Sequence, residues 1–180
     1  MRIIAGDQKG RRLKNLKGQG IRPTSDMVKG AIFNVLDTKV LSAHVLDLFA
    51  GTGNMAFEAL SRGAASAVLV DVSPQAVQLM RDNLQLLGQT AQTHIVHADA
   101  HRYLSRCSGQ IFDLVFLDPP YHRGLLQTVL PELRDKVSPR GVIIAETAKD
   151  EDFHQEPFEI RTVKEYGRTK IWFLQNPLHT

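Results

Sequence analysis

The sequence predicts an α/β fold with a mostly parallel, doubly wound sheet that finishes in an antiparallel hairpin. From residue 44 onward, short segments of almost continuous apolar residues alternate with amphipathic segments of helical period. Strands of this kind are covered on both faces by helices, as in parallel sheets with right-handed crossovers. The stretch 158–174 instead alternates apolar and polar residues about Tyr166-Gly167, which is typical of two strands joined by a tight turn.

The first 38 residues predict an N-terminal extension followed by a helix. Short apolar pieces lie between glycines up to residue 20, which indicates a small β-hairpin or extended arm with its basic side chains outward. In RPTSDMVKGAIFNVLDT (22–38), Thr24 or Ser25 can cap a helix whose apolar positions include Val28, Ile32 and Val35. We therefore divide the chain into a basic arm, 1–22, and a second domain, 23–180.

The later elements follow in βα order. The predicted strands are HVLDLF (44–49), SAVLVD (66–71), THIVHAD (93–99), IFDLVFLD (111–118) and GVIIAET (141–147). The predicted helices are NMAFEALSRG (54–63), SPQAVQLMRDNLQLLG (73–88), a short one near AHRYLSR (100–106), and RGLLQTVLPELRDKV (123–137). The second of these carries its own start and stop signals, because Ser73 can cap it, Pro74 suits the first turn and Gly88 suits the end.

Composition and charge narrow the class of protein. No apolar run approaches the length of a membrane span, no secretory signal is visible, and Cys107 is the single cysteine, so we expect a cytoplasmic protein. Residues 1–30 hold eight basic and two acidic side chains, a net charge of +6, whereas residues 31–180 hold 14 basic and 17 acidic ones, a net charge of −3. A basic arm predicts a polyanionic partner or is a solvated tail.

A glycine loop follows the first predicted strand. Gly51 and Gly53 lie where the backbone of such folds approaches a ligand, and Asp71 ends the next strand at a spacing that suits ribose hydroxyls. The loop alone fits either a dinucleotide or S-adenosylmethionine. Asp47 favours the second, because a pyrophosphate is disfavoured beside an extra carboxylate, whereas the amino and sulfonium groups of S-adenosylmethionine are cationic.

A third acid, Asp99, follows the third predicted strand, where the amino group of an adenine could be bound. Each of Asp47, Asp71 and Asp99 could instead cap or terminate its own strand. All three at neighbouring strand ends, beside a glycine loop, favour a cationic nucleoside as cofactor. No set of histidines converges, so we predict no metal site.

The segment Asp118-Pro119-Pro120-Tyr121 ends the fourth predicted strand. Asp118 can accept a hydrogen bond from an amine, the two prolines hold their carbonyls rigidly, and Tyr121 offers a ring for stacking on a base. Two acceptors on one exocyclic amine would turn its lone pair toward a methyl donor, and Asp118 could take the departing proton. The alternative is a turn that ends the strand and carries a surface tyrosine.

These motifs resemble a known family along nearly the whole chain. LDLFAGTG and DPPY are similar to amino-methyltransferases of nucleic-acid bases. MRIIAGDQKGRRL, IRPTSDMVKGAIFNVL, FEALSRGA, FLDPPYHRGL and YGRTKIWFL resemble the RsmD family of bacterial 16S rRNA guanine-N2 methyltransferases, which act on guanine 966. The resemblance implies a Rossmann-like methyltransferase fold, S-adenosylmethionine as methyl donor, and a substrate in the small ribosomal subunit or its assembly intermediate.

The predicted site residues form three groups. The catalytic group is Asp118, Pro119, Pro120 and Tyr121. The cofactor-binding group is Asp47, Phe49, Gly51, Gly53, Asp71, Asp99 and Ala100. The RNA-binding group is Arg2, Lys9, Arg11, Arg12, Lys14, Arg22, Thr24 and Arg123.

Other functions stay open at this point. A DNA adenine-N6 methyltransferase would use the same DPPY chemistry, although 180 residues leave little room for a target-recognition domain. A non-catalytic binder in ribosome assembly could retain a cofactor pocket, and a nicotinamide oxidoreductase would share the glycine loop. We expect a monomer, with no membrane partner.

Overall fold

The computed structural model describes residues 1–15, 25–88 and 90–177, and within them seven strands form one sheet. The strands are β1 His44–Asp47, β2 Ser66–Asp71, β3 Thr93–His97, β4 Phe112–Leu117, β5 Val137–Ala148, β6 Glu159–Tyr166 and β7 Thr169–Gln175. The α-helices are α1 Asp26–Leu36, α2 Asn54–Ser61, α3 Pro74–Leu87, α4 Ala100–Leu104 and α5 Leu125–Leu133. Short 3₁₀ turns cover Asp37–Val40, Thr90–Gln92 and Arg134–Lys136.

The strand order is β3-β2-β1-β4-β5-β7-β6. The first five strands pair in parallel, and β7 pairs antiparallel with both β5 and β6. The predicted terminal hairpin is therefore present, and its second strand is the one that joins the main sheet. Several predicted bounds were wrong. β1 ends at Asp47, where the chain turns into the glycine loop, and β3 ends at His97, each two residues before the predicted end. The helix predicted over 123–137 spans only Leu125–Leu133, and β5 begins at Val137, four residues before the GVIIAET segment.

The predicted helix signals agree with the structure in α1 and α3. Ser25 caps α1 by accepting a hydrogen bond from the backbone N–H of Val28, and Ser73 caps α3 in the same way from Ala76. Gly88 ends α3 in the left-handed conformation that residues with a side chain rarely adopt. In α1, the predicted apolar position Val35 is 40% exposed, so the buried face is narrower than the sequence indicated.

Two apolar clusters cover the two faces of the sheet. One packs α1, α2 and α3 against it, with Phe33, Phe57 and Met80 among the buried side chains. The other packs α4 and α5 on the opposite face, with Leu104 and Leu130. Helices on both faces explain why the parallel strands are apolar throughout. None of the helices in the described parts of the chain has the length and apolar character that a membrane crossing requires.

The N-terminal segment folds back on itself and packs against the end of α2. A single antiparallel bridge joins Arg2 and Arg12, while the Ile3 and Leu13 side chains enter the core that α1 and α2 share. Gly6 lies so close to α2 that an added Cβ would come within 1.7 Å of a backbone oxygen of Ser61. The predicted boundary at residue 22 lies outside the described residues.

A buried ion pair fixes this segment to the two helices. Glu58 on α2 and Lys29 on α1 are both fully buried, with 3.0 Å between Nζ and Oε2. Glu58 also accepts hydrogen bonds from the backbone amides of Ile4 and Ala5, and Lys29 donates to the carbonyl of Arg2. Desolvation lowers the pKa of Lys29, and the nearby Glu58 carboxylate partly offsets that effect.

Candidate active site

The sheet order reverses between β1 and β4, and this reversal places a crevice at the carboxyl ends of those strands. Successive strands run outward in one direction from β1 and in the other from β4. Ligands of open α/β sheets bind at such a switch point. The glycine loop leaves β1 on one side of the crevice and the segment 118–121 leaves β4 on the other side. The sequence predicted both segments, and the structure brings them together.

The two glycines of the loop serve different purposes. Gly51 has φ of 53°, and an added Cβ there would meet no atom within 4 Å, so the backbone is open to an approaching ligand. Gly53 has φ of 78°, and a Cβ there would lie 2.4 Å from the Phe57 ring and 2.8 Å from Leu69. The left-handed backbone conformation therefore explains Gly51, which leaves room for a ligand, whereas close packing of α2 against β2 explains Gly53.

Each of the three strand-end acids accepts hydrogen bonds from backbone amides. Asp71 accepts one from Gly51 and one from Ser73, both at 2.8 Å, and thereby holds the glycine loop against β2. Asp99 caps α4 through the amides of His101 and Arg102. Carboxylate oxygens have two lone pairs each, so these bonds leave acceptor capacity for a ligand. Asp71 is half-buried and Asp99 is at the surface end of its strand.

Asp47 is the buried acid of the three. It accepts a hydrogen bond from the amide of Ala56 in the first turn of α2, a helix that starts at Gly53 without a side-chain cap. Burial, opposed by that hydrogen bond and reinforced by the charge of Asp71, raises the pKa of Asp47 to about 7. The residues nearest the loop thus carry clustered negative charge, which suits a cationic ligand such as the predicted nucleoside.

The segment 118–121, predicted to be catalytic, forms a cluster with a residue that the sequence reasoning missed. Tyr121 donates a hydrogen bond of 2.7 Å from its hydroxyl to Oε1 of Glu146 on β5, and Thr169 Oγ1 lies 3.4 Å from the same hydroxyl. Tyr121 is 37% exposed, so one part of it faces solvent as a stacking surface requires. Glu146 lies near the end of β5, just as Asp47 and Asp71 lie at the ends of their strands. This position is the sequence signal that could have identified Glu146 as a site residue.

Asp118 lies beside Glu146 at the mouth of the crevice. The protein around its carboxyl, together with the negative charges of Glu146 and Asp47, raises the pKa of Asp118 well above the usual range of an aspartate. The residue still has a solvent-exposed side, which moderates the rise. Pro119 is buried and Pro120 is exposed, so the elbow is anchored on one side. A carboxylate with a raised pKa is a stronger proton acceptor.

A small cavity opens directly onto these two acids. Its walls are apolar residues of α1, α2, β4, β5 and β7, and its polar residues are Asp118 and Glu146. The apolar walls are Ile32, Met55, Phe116, Leu117, Ile144 and Ile171. The cavity volume of about 20 Å³ is close to that of one water molecule, so a flat heterocycle would lie across its mouth, beside the two acids.

The basic residues predicted to contact RNA lie at the surface. Lys9, Arg11 and Arg12 are exposed and have no ion-pair partner among residues 1–15, 25–88 and 90–177. Arg2 and Lys14 are exposed as well, but each forms an ion pair of 3.0 Å, with Asp26 and Asp82 respectively. Arg123 is exposed after the DPPY segment. Arg22 and Thr24 lie outside the described residues.

The sheet order, the terminal hairpin and the crevice define the Rossmann-like fold of S-adenosylmethionine-dependent methyltransferases, and the predicted fold class is confirmed. A family model described as Conserved hypothetical protein 95 matches residues 1–175. The chain belongs to this RsmD-like family.

Individual relatives agree with this assignment. The Haemophilus influenzae protein named Ribosomal RNA small subunit methyltransferase D is 36% identical over 154 residues, 83% of this chain and 80% of that protein. A solved conserved hypothetical protein of Streptococcus pyogenes is 34% identical with a TM-score of 0.77, over 85% of this chain and 98% of that one. A Salinibacter ruber RNA methyltransferase solved with S-adenosyl-L-homocysteine is 17% identical with a TM-score of 0.70, over 88% and 96% of the two chains, a likeness of fold.

Proposed function

We propose that this protein methylates the exocyclic N2 amine of a guanine in 16S rRNA, with S-adenosylmethionine as methyl donor. The observation that carries the proposal is the meeting of Asp118, with its rigid proline elbow, and the open glycine loop across one crevice. The relatives named as small-subunit rRNA methyltransferases support the choice of RNA. The chemistry alone fits any exocyclic amine, so guanine and its place in 16S rRNA rest on that kinship.

The residues that bind the cofactor and those that bind the target base lie on two different halves of the crevice. S-adenosylmethionine supplies a methyl group on a sulfonium, which is electrophilic and leaves as a neutral thioether. Gly51 gives the cofactor access to the backbone, Phe49 and Ala100 flank its binding region, and the acids Asp47, Asp71 and Asp99 bind its amino and hydroxyl groups. These positions lie on the β1–β3 half of the sheet, and the acceptor side is on the β4–β5 half.

Asp118 and the rigid Pro119-Pro120 carbonyl hold the two N–H groups of the target amine. That arrangement makes the nitrogen pyramidal and directs its lone pair at the methyl carbon. Bound S-adenosylmethionine would supply the methyl carbon that this lone pair attacks, and the electron pair of the broken C–S bond would stay on its sulfur as the N–C bond forms. The proton left on nitrogen passes to the Asp118 carboxylate and then to solvent. The target base must be unstacked to reach the cavity, and Tyr121 offers it a new stacking partner.

The same proposal assigns a role to the exposed basic side chains and a compartment to the enzyme. The exposed basic side chains Lys9, Arg11, Arg12 and Arg123 contact rRNA phosphates of the small subunit or its assembly intermediate, and the enzyme acts as a monomer in the cytoplasm. No step requires a metal ion, and within the described residues no three acidic, histidine or cysteine side chains are grouped as metal ligands.

Labelled methyl donor, offered with either small-subunit particles or duplex DNA, tests this proposal. We expect label in 16S rRNA and none in DNA. Label in DNA alone would establish an adenine or cytosine methyltransferase of DNA instead. Absence of label from both, with a deletion strain still rescued by the Asp118→Asn variant, would establish a non-catalytic binder.

Replacing Asp47 with asparagine will change protein stability and cofactor binding in opposite directions. The raised pKa means that the buried carboxyl stabilises the fold when protonated, and this contribution is lost as the pH rises through about 7. Asparagine keeps an acceptor for the Ala56 amide and carries no charge. We therefore expect the free energy of unfolding without cofactor to rise by about 2–4 kcal/mol at pH 8 and to change little at pH 4.

Cofactor affinity gives the second half of this prediction. A cationic amino group favours the ionised carboxyl, so the affinity of the wild type should increase from pH 6 to pH 8 and then level off. Asp47→Asn should bind about 10-fold more weakly and lose this pH dependence. Calorimetric titration with S-adenosylmethionine at several pH values measures both. An unchanged pH profile in the variant would remove Asp47 from cofactor binding.

Neutralising Lys9, Arg11 and Arg12 together, as Lys9→Gln, Arg11→Gln and Arg12→Gln, should weaken RNA binding and flatten its salt dependence. Each phosphate that the variant no longer neutralises lowers the slope of log affinity against log salt by about 0.7–0.9. Neutralising the exposed residues Arg134 and Arg140, which lie just before and within β5, is the control. Filter binding to 16S rRNA at several salt concentrations measures the slope, and an equal slope in the triple variant would contradict the role of the arm.

A further inference from the structure

Glu146 is an acceptor placed beside the catalytic carboxylate. It lies on β5, one strand away from β4, and it lines the same cavity as Asp118. The effect of its charge on the pKa of Asp118 indicates that the two carboxyl groups are near one another. The Tyr121 hydroxyl bonds to Oε1 at 2.7 Å, which limits the rotation of the Glu146 side chain. The mouth of the cavity therefore carries two neighbouring carboxyl groups, and the Tyr121 bond orients that of Glu146.

Carboxylates distinguish the bases by the edge each base presents. An ionised carboxylate only accepts hydrogen bonds, so it needs donors on the ligand. On its Watson–Crick edge, guanine carries two adjacent donors, the N1–H and the N2 amine. Adenine and cytosine carry one amine beside a ring nitrogen with a lone pair, and a second carboxylate opposite that lone pair is repelled. A pair of neighbouring carboxylates thus fits guanine and disfavours the other two amine-bearing bases.

We propose that Glu146 determines the choice of base, by accepting a hydrogen bond from guanine N1–H while Asp118 accepts one from the N2 amine. This inference rests on the proposed function, since it assigns the base that the same site methylates. Tyr121 then has a second role, because its hydroxyl bond orients Glu146 toward the ring, in addition to the stacking assigned to its aromatic face. A carboxylate has about four acceptor positions, so the Tyr121 hydroxyl and guanine N1–H can bond to the same group.

Replacing Glu146 with glutamine tests this assignment with little change of shape. The glutamine oxygen can still accept the Tyr121 hydrogen bond, and its NH₂ replaces one acceptor with a donor. The assay compares 16S rRNA particles that carry guanine or 2-aminopurine at the methylated position. 2-Aminopurine retains the 2-amine but has a lone pair at N1, so it separates the recognition of N1 from the chemistry at N2.

We expect the wild type to prefer guanine over 2-aminopurine by about 10²-fold in kcat/KM, as sites that bond an N–H reject analogues lacking it. In Glu146→Gln the preference should fall to less than about 10-fold, because guanine loses an acceptor and 2-aminopurine gains a donor opposite N1. Cofactor affinity should not change. Glu165→Gln, the same substitution at an exposed acid on β6, should keep the wild-type preference.

The possible outcomes distinguish an error in the role of Glu146 from an error in the proposed function. If the wild type methylates guanine N2 and Glu146→Gln keeps the full preference, the assignment of Glu146 is wrong and the proposed function stands. If the wild type methylates no guanine, the proposed function itself fails. Should the variant not fold, the wild type alone decides, because equal rates on guanine and 2-aminopurine would overturn the recognition of N1.

Discussion

Asp118→Asn will lower the rate of methyl transfer by about 10²- to 10⁴-fold, the range lost when a positioned proton acceptor is removed. Asparagine keeps the shape and one acceptor oxygen, so the base can still bind, but its amide does not take the N2 proton. The measurement is a single-turnover assay with labelled methyl donor and saturating 16S rRNA particles. A rate within about 5-fold of the wild type would show that Asp118 is not the proton acceptor.

The melting temperature and the cofactor affinity of Asp118→Asn are the controls for this prediction. The pKa of Asp118 is raised by burial and by Glu146 and Asp47, so removing its charge relieves repulsion and should leave the melting temperature equal or higher. Cofactor affinity should stay within about 2-fold, since the cofactor residues lie on the other half of the crevice. In the wild type, the rate should increase with pH through the raised pKa of Asp118, and the variant should lack this rise.

Glu58→Ala will destabilise the protein by about 3–5 kcal/mol, the cost of leaving a buried charge unpaired. The substitution removes the carboxylate that pairs with the fully buried Lys29 ammonium and that accepts hydrogen bonds from the amides of Ile4 and Ala5. Arg62 loses its bond of 2.8 Å to the same carboxylate. Urea unfolding followed by circular dichroism measures the free energy of unfolding.

Two variants identify burial as the cause of this effect. Arg2→Ala removes an exposed ion pair with Asp26 in the same segment and should cost less than about 1 kcal/mol. The double variant Lys29→Met with Glu58→Leu removes both charges and should cost less than the sum of the single changes. A loss below about 1 kcal/mol for Glu58→Ala would contradict the burial of this pair.

The same ion pair connects the basic segment to the glycine loop. Lys29 donates a hydrogen bond of 2.7 Å to Asn54, the first residue of α2, directly after Gly53. It also holds the carbonyl of Arg2, in the segment whose exposed side chains are proposed to contact RNA. The N-terminal segment is thus packed on the helix that follows the glycine loop, and both are fixed through one buried ammonium group.

Local signals in the sequence were sufficient for the order of the strands and helices and for the two site loops, but not for every bound. Ser73, Pro74 and Gly88 bounded α3 correctly because caps act within a few residues. The glycine loop and DPPY were placed at one crevice because parallel strands bring their carboxyl ends to one edge. Both predictions depend on residues that lie close together in the sequence.

Interactions between distant residues were the part that sequence reasoning missed. Glu58 lies within the helix predicted over 54–63, and nothing local in the sequence indicates that Lys29, 29 positions earlier, is buried against it. Glu146 lies near the end of an apolar strand, and its importance depends on the Tyr121 hydroxyl lying 2.7 Å away. The dual use of Asp47, Asp71 and Asp99 as backbone acceptors was an alternative left open, and the structure shows those bonds.

Mapping of methylated nucleotides in 16S rRNA by mass spectrometry tests the central claim most directly. Small subunits from a strain lacking this protein are treated with cofactor and either the wild type or Asp118→Asn. We predict one new N2-methylguanine after treatment with the wild type and none after treatment with the variant. A new methyl group on adenine or cytosine, or no change with the wild type, would contradict the proposed function.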